Sequence, residues 1–446
     1  MKDLSKGNET RLIFYFALPM LLGNVFQLFY NVVDRWVVGN YIGKEALAAV
    51  GASFPIIFVM ISLLIGVAMG FTIAISQFFG SRDIEKVKRS IDTLYILMFF
   101  ASIVISVLAI SFSNEIFSLI DLPVAVRPEA NTYFRIYMLG VILVFGFHST
   151  SAILRGLGDS KTPLYFMIVA TLMNVIFDLV FVLVFKMGVD GVAIATIISQ
   201  GGAFLSAVIY LNRTHEVINL SWRKMIFDRV ILRKSVRIGA PIGLQHMFVS
   251  LGMMAMFWLV NPFGTSAVAA YTVVFTISSF VSMPAMNFTA ALSTFVGQNL
   301  GANKPYRIKN GLWATFKMVS SIVVVVTALS LYFRSELMNL FTDDTEVIRM
   351  GEEYLMIVGW FFVVFSSMFV VGGVMRGAGD TFVPMIITFI ALWVVRIPLC
   401  YFLSQEYGVT GIWMGIPIAW VVGLVLSYLY YLTGKWKKKA IVKHAE

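Results

Sequence analysis

Two phrases recur about half a chain apart. RGLGDSKTP begins at Arg155 and RGAGDTFVP at Arg376, while GVDGVAIATIIS begins at Gly188 and GVTGIWMGIPIA at Gly408. Each interval is about 220 residues in a chain of 446, so the fold must use one unit of roughly half this length twice. Other pairs extend the frame: Pro19 with Pro241, Ala48-Ala49 with Ala269-Ala270, and Phe71-Thr72 through Gly80 with Phe288-Thr289 through Gly297. The last interval is about four residues shorter and reads as an indel between the copies.

The duplicated unit has to be soluble in lipid. Hydrophobic residues make up 59% of the chain and charged ones 13%, with a mean hydropathy of +0.86, a balance that no water-soluble domain of this size carries. Twelve apolar stretches approach or exceed the roughly 20 residues that cross the hydrocarbon core. They lie near 12–38, 48–78, 91–113, 131–153, 162–185, 189–211, 237–260, 271–296, 312–332, 352–374, 383–404 and 409–432. No period-two barrel pattern is visible, and helices satisfy their own backbone in lipid, so the expected fold is an all-α polytopic membrane protein. Met1 to Arg11 is polar and the run after it is too long for a cleavable signal, so the first span is expected to be retained. Cys400 is the single cysteine, which excludes an intramolecular disulfide or a cysteine metal cluster.

The net charge of +10 does not read as nucleic-acid binding, because the cations alternate from one connection to the next. Lys2, Lys6 and Arg11, then Arg82, Lys86, Lys88 and Arg89, then Arg213 to Arg237, then Lys304, Arg307 and Lys309, and finally Lys435 to Lys443 fall on one side. Opposite connections hold few cations, among them Lys44, Arg127, Lys186, Arg334 and Arg349, diluted by acids such as Glu115, Asp121, Glu352 and Glu353. Both termini are therefore expected in the cytoplasm, with anionic lipid as a partner of the basic side. Six spans per half is an even number, so the two lobes are expected as parallel repeats. The N-lobe is read as 1–211, a basic cytoplasmic linker containing Trp222 as 212–236, and the C-lobe with its basic tail as 237–446. A cleft between the lobes is the expected substrate site, reached alternately from each side by rocking.

The Arg-Gly-x-Gly-Asp motif falls in tight turns after the fourth and tenth spans. Glycine supplies backbone freedom there, Asp caps the next helix, and Pro163 or Pro384 suits a first helical turn. A gate built from Arg155 with Asp159 is the alternative reading.

With its twelve spans in two sextets, the Asp-bearing first helix FYNVVDRWVVGNYIG, the N-x-x-x-D fifth helix and the RGxGD turns, the chain resembles the multidrug and toxic compound extrusion (MATE) family over essentially its whole length. The resemblance implies a cation-coupled antiporter, not an enzyme, that exports amphipathic and often cationic organic compounds. It also implies no cofactor beyond a coupling ion, H⁺ or Na⁺. A flippase of a lipid-linked or amphipathic metabolite is the alternative, since the same superfamily contains such proteins. The chain is expected as a monomer in the cytoplasmic membrane of a prokaryote, with small organic substrates and lipids as its partners.

Individual residues carry the argument independently of the resemblance. An Asp near a helix centre costs about 2.5–3.5 kcal/mol on insertion scales, so a buried one needs a reason. Asp34 ends a polar stripe with Asn24, Gln27 and Asn31 on the first span, and Asp178 follows Asn174 by one turn on the fifth. On the sixth span Thr196 follows Val192 by one turn. Asp34, Asn174, Asp178, Thr196 and the Val192 carbonyl match in kind and order the N-lobe cation site that the resemblance implies. Hard oxygen ligands suit Na⁺, and a desolvated carboxylate suits H⁺.

Spans seven to twelve hold no deeply placed acid and offer Gln245, His246, Ser366 and Ser367 instead, which looks more like the DinF-like than the NorM-like branch. Arg396 lies in the eleventh span, opposite Ile176 in the repeat frame, either as a structural charge or as part of an ion or substrate path. His148 and His246 read as interior histidines or a proton relay. Tyr30, Gln27, Asn31, Tyr133 and Tyr137 are further cleft or gating candidates. Among the 24 methionines, Met253, Met256, Met283 and Met286 are candidates for a soft substrate surface. Pro19 and Pro241 interrupt the first and seventh spans as possible kinks. No HExxH, GxSxG or P-loop lysine motif suggests an enzyme.

Overall fold

A computed structural model describes residues 2–120, 122–214 and 224–442. Among the described residues, twelve helices are long and apolar enough to cross a membrane: α1 Glu9–Ile42, α2 Lys44–Gly80, α3 Ile84–Ser111, α4 Arg127–Gly156, α5 Lys161–Val184, α6 Val189–Thr214, α7 Arg229–Phe263, α8 Thr265–Gly301, α9 Tyr306–Tyr332, α10 Thr345–Gly377, α11 Phe382–Tyr407 and α12 Val409–Leu432. There is no strand among the described residues. The chain is therefore an all-α membrane protein, with more residues in every helix than the hydrocarbon core demands. The surplus lies in polar end turns such as that of α3, where Asp83 accepts the Lys86 N–H at 3.1 Å as an N-cap. In the same way, α7 begins at Arg229, within the stretch 212–236 expected as linker. Residues 215–223 of that stretch, including Trp222, lie outside the described residues.

The chain forms two compact units, one built mainly from Pro19–Ala240 and the other from Leu4–Leu18 with Pro241 onward. The division thus falls inside α1 and α7, at the two prolines, rather than at the connection between α6 and α7. Proline removes one backbone N–H from each helix, so these are the softest points along both.

In the first unit the start of α7 lies backbone to backbone on α2: a Cβ at Gly239 would come within 2.5 Å of the Val67 Cα, and one at Gly70 within 2.3 Å of the Ser235 carbonyl. In the second unit the segment before α1 is held on α8 and α9. Gln298 accepts the Leu4 N–H at 2.8 Å, and buried Arg307 donates to Glu9 at 3.0 Å and to the Gly7 carbonyl.

Packing inside each unit repeats the sequence interval. Thr72 on α2 donates to the Ala152 carbonyl of α4 at 3.1 Å, and Ser293 on α8 donates to the Gly373 carbonyl of α10 at 2.9 Å. The first glycine of each RGxGD motif is a contact point: a Cβ at Gly156 would lie 2.9 Å from the Thr72 carbonyl, and one at Gly377 2.4 Å from the Ser293 carbonyl. The second glycine makes the turn, with φ +81° at Gly158 and +91° at Gly379. Arg82 and Asn303 also share a positive φ just after α2 and α8.

This geometry corrects the expected indel. Helices α2 and α8 have the same length, and Gly80 matches Gly301, not Gly297, so no residue is missing within this helix pair. The Phe-Thr pair is a coincidence of two similar apolar faces. At the turns, Asp159 accepts the N–H groups of Lys161 and Thr162, both at 3.0 Å, as a cap. Asp380 instead accepts the Tyr430 hydroxyl at 2.6 Å. Among the described residues no ion pair joins Arg155 to Asp159, so the gate reading lacks its contact.

Candidate functional site

Three helices of the first unit bring oxygen-bearing side chains together. Asp34 comes from α1, Asn174 and Asp178 from one face of α5, and Thr196 from α6; all four are buried. The i, i+4 spacing on α5 sends the Asn174 amide and the Asp178 carboxylate to the same side. With its nitrogen turned toward the carboxylates, Asn174 donates to Asp34 Oδ1 at 2.9 Å and to Asp178 Oδ2 at 3.3 Å. Asp34 is also within hydrogen-bonding reach of Asp178 and of the Tyr30 hydroxyl. Tyr30 donates to Thr196 Oγ1 at 3.0 Å, and Thr196 donates to the Val192 carbonyl at 3.1 Å. A continuous polar chain therefore runs Asp178, Asn174, Asp34, Tyr30, Thr196, Val192.

Neither carboxylate has a salt-bridge partner among the described residues, and Asp178 Oδ1 is buried with no hydrogen-bond partner at all. Arg35, the neighbour of Asp34, places its guanidinium over the Phe54 ring at 5.7 Å rather than on a carboxylate. Two carboxylates this close and this buried repel each other unless a cation or a proton sits with them.

Tyr133 and Tyr137 stack on each other along α4, ring centroids 6.3 Å apart, and both phenols stand within electrostatic range of Asp34. Tyr30 stands in the same range of Asp34 and of both phenols. Gln27 and Asn31 are half-buried on α1, and no hydrogen bond joins them to the cluster among the described residues. His148 sits between the rings of Phe145 and Phe147, an interior position.

The remaining candidates belong to the second unit. Met253, Met286 and Arg396 line a pocket of about 260 Å³ there. Met256 is fully buried packing and Met283 is half-buried, and neither lines that pocket. Gln245 on α7 donates to Thr388 on α11 at 2.6 Å, a tie between helices rather than a ligand.

Comparison with known proteins agrees with this architecture. The sequence profile described as MatE matches residues 19–180 and again 241–402, beginning each time at one of the two prolines. Over 98% of its length the chain is 32% identical to YoeA, a probable multidrug resistance protein of Bacillus subtilis (strain 168), and spans 96% of it. It is 31% identical to YpnP of the same organism, also a probable multidrug resistance protein, over 98% of this chain and 97% of that one. A crystal structure of MATE in the bent conformation superposes with a TM-score of 0.91 over 98% of both chains at 23% identity, a likeness of fold.

Proposed function

Because the chain belongs to the MatE family of multidrug and toxic compound extrusion transporters, we propose that it is a cation-coupled antiporter exporting amphipathic, often cationic organic compounds by alternating access. It is a multi-pass membrane transporter and not an enzyme. Two relatives that it matches along nearly their whole length are named as probable multidrug resistance proteins, which supports efflux as the transport direction.

The observation that carries the coupling is the pair Asp34 and Asp178, bridged by Asn174 and left without a basic partner. An empty pair is unstable at membrane depth, and a loaded one is neutral or nearly so, which makes its occupancy a bias between conformations. Helix α1 is the element that this bias moves. It carries Asp34 on one side of Pro19, and on the other side the residues Leu4–Leu18 that belong to the second unit. Loading draws α1 toward α5 and α6; unloading releases it, with Pro19 taking up the bend. Export follows if the loaded state releases substrate outward and the empty state binds it from inside.

H⁺ fits the present geometry better than Na⁺. One shared proton satisfies the close carboxylate pair directly, with no further oxygen ligand required. Coupling within the first unit, where the paired acids stand, is the arrangement of the DinF-like branch. The alternation of Lys and Arg between connections supports a cytoplasmic location for both termini.

The test is efflux of ethidium from proteoliposomes under a pH gradient alone and a Na⁺ gradient alone, with wild type and Asp178→Asn. Gradient-driven efflux that disappears in the variant supports the reading. Efflux unaffected by the substitution, or none under either gradient from well-folded protein, overturns it.

A further inference from the structure

The second unit carries a charge of the opposite sign on its corresponding helix, Arg396 on α11. At the spacing of Gly156 and Gly377 it answers to Val175, the neighbour of Asn174 on α5, one residue off the Ile176 frame read from the sequence. In the frame set by Gly156 and Gly377, Tyr354 on α10 answers to Tyr133 on α4. As Tyr133 stands near Asp34, so Tyr354 stands within electrostatic range of Arg396. One unit thus presents two acids to its tyrosines and the other a guanidinium.

Arg396 opens on the 260 Å³ pocket already described, and it is the only charged residue in the lining. No carboxylate among the described residues is within ion-pair distance of it, and its Nε is buried with no hydrogen-bond partner. The Tyr271 hydroxyl is within hydrogen-bonding reach of it, and Tyr354 and Cys400 stand within electrostatic range. Tyr271 is itself fixed by stacking on Trp413 at 5.7 Å, and Tyr354 meets the same indole edge-on at 5.2 Å. Guanidinium is permanently charged and offers a planar fork of donors that suits a carboxylate. An unpaired one at membrane depth is costly and marks a ligand path by default. Opposite it the wall is apolar and aromatic: Phe362 and Phe365 pack on Trp420 at 5.6 and 4.9 Å, and Met253 and Met286 complete a reshapeable surface.

We propose that this pocket binds an amphipathic organic anion, with a carboxylate or similar group on the Arg396 fork and an aromatic or alkyl body against Phe365 and Trp420. The proposal deepens the transporter reading by adding an anionic substrate class, and it concerns binding, which needs no ion gradient.

Full-length protein in phosphatidylcholine nanodiscs is titrated with N-dansylglycine and with its uncharged carboxamide. The carboxylate is expected to bind at least tenfold tighter. Arg396→Gln should abolish that preference, and Arg396→Lys should restore part of it. Ser279→Asp keeps Arg396 but sets a competing carboxylate on the pocket wall, and it should abolish the preference too, so the proposal survives a poorly folding Arg396 variant. Equal affinity for the two probes in wild type, or a preference that persists in folded Arg396→Gln or Ser279→Asp, overturns the proposal.

Repeating the titration with phosphatidylglycerol in the disc separates two sources of the anion. Competition assigns the site to a lipid headgroup, and its absence to a free organic acid; either result supports an anion site. Ethidium efflux is followed on the same wild-type preparation. Gradient-driven efflux with no anion preference overturns only this inference, and anion preference without efflux overturns only the antiport reading.

Discussion

Replacing Asp178 by Asn tests the coupling site with the least disturbance of shape. The new amide has the same volume and still reaches Asn174, and it removes a buried carboxylate oxygen that has no hydrogen-bond partner. What it takes away is half of the charge that holds a cation. At about 4 Å and an effective dielectric near 20, a carboxylate attracts a unit cation by about 4 kcal/mol. Part of that is offset, because an empty site with one acid is less strained than one with two. A net loss of about 2–3 kcal/mol remains, or roughly 30- to 150-fold in cation affinity. The assay is the dependence of ethidium efflux rate on the driving cation, measured in proteoliposomes at matched protein orientation. The half-saturating cation concentration should rise by that factor, while thermal stability in detergent stays level or increases. An unchanged half-saturating concentration would refute the reasoning, because it would mean that the cation never meets Asp178.

Three other substitutions probe separate links. Tyr30→Phe cuts the hydroxyl between Asp34 and Thr196 without emptying volume; coupled efflux should fall about three- to tenfold, for a bond worth about 1 kcal/mol, and an unaltered rate would remove Tyr30 from the network. Gly377→Ala drives a methyl to 2.4 Å from the Ser293 carbonyl and strains the Ser293–Gly373 hydrogen bond; unfolding in mixed micelles should show a loss of about 2–3 kcal/mol. Gly156→Ala, with its nearest contacts at 2.9 Å, should lose less, and the reverse order would contradict the packing described. Arg307→Ala leaves Glu9 and the Gly7 carbonyl without their partner. A destabilisation of about 2–3 kcal/mol is expected, below the range for fully buried pairs because Glu9 is partly exposed; a neutral result would mean that the segment before α1 holds on through Gln298, Asn299 and Lys304.

Duplication, span number and the acidic cluster were all legible in the chain because each leaves a mark on residue identity. A helix in lipid must be apolar for its whole length, and a buried Asp stands out against that background. Register was harder. Phe71-Thr72 and Phe288-Thr289 look alike, yet the helix ends and the bonds of Thr72 and Ser293 fix a different frame, because only geometry distinguishes two equally apolar alignments. The boundary at Pro19 and Pro241 was also hidden, since a helix that continues through a proline gives no change in composition where its contacts change unit.

Arg396 is the most instructive case, because a lone arginine in a span has two readings until its surroundings are known. Had a carboxylate stood within ion-pair distance, the charge would be structural and the pocket beside it only a packing defect. Among the described residues none does, and the lining holds no second charge. An anionic ligand in the pocket would supply the compensating charge that these residues do not. An arginine that merely braced Tyr271 would be replaceable by glutamine without altering which ligands enter; one that supplies the charge for a ligand would not. That difference separates a brace from a binding site, and it is why the contrast between an acid and its amide decides the matter better than the loss of transport alone.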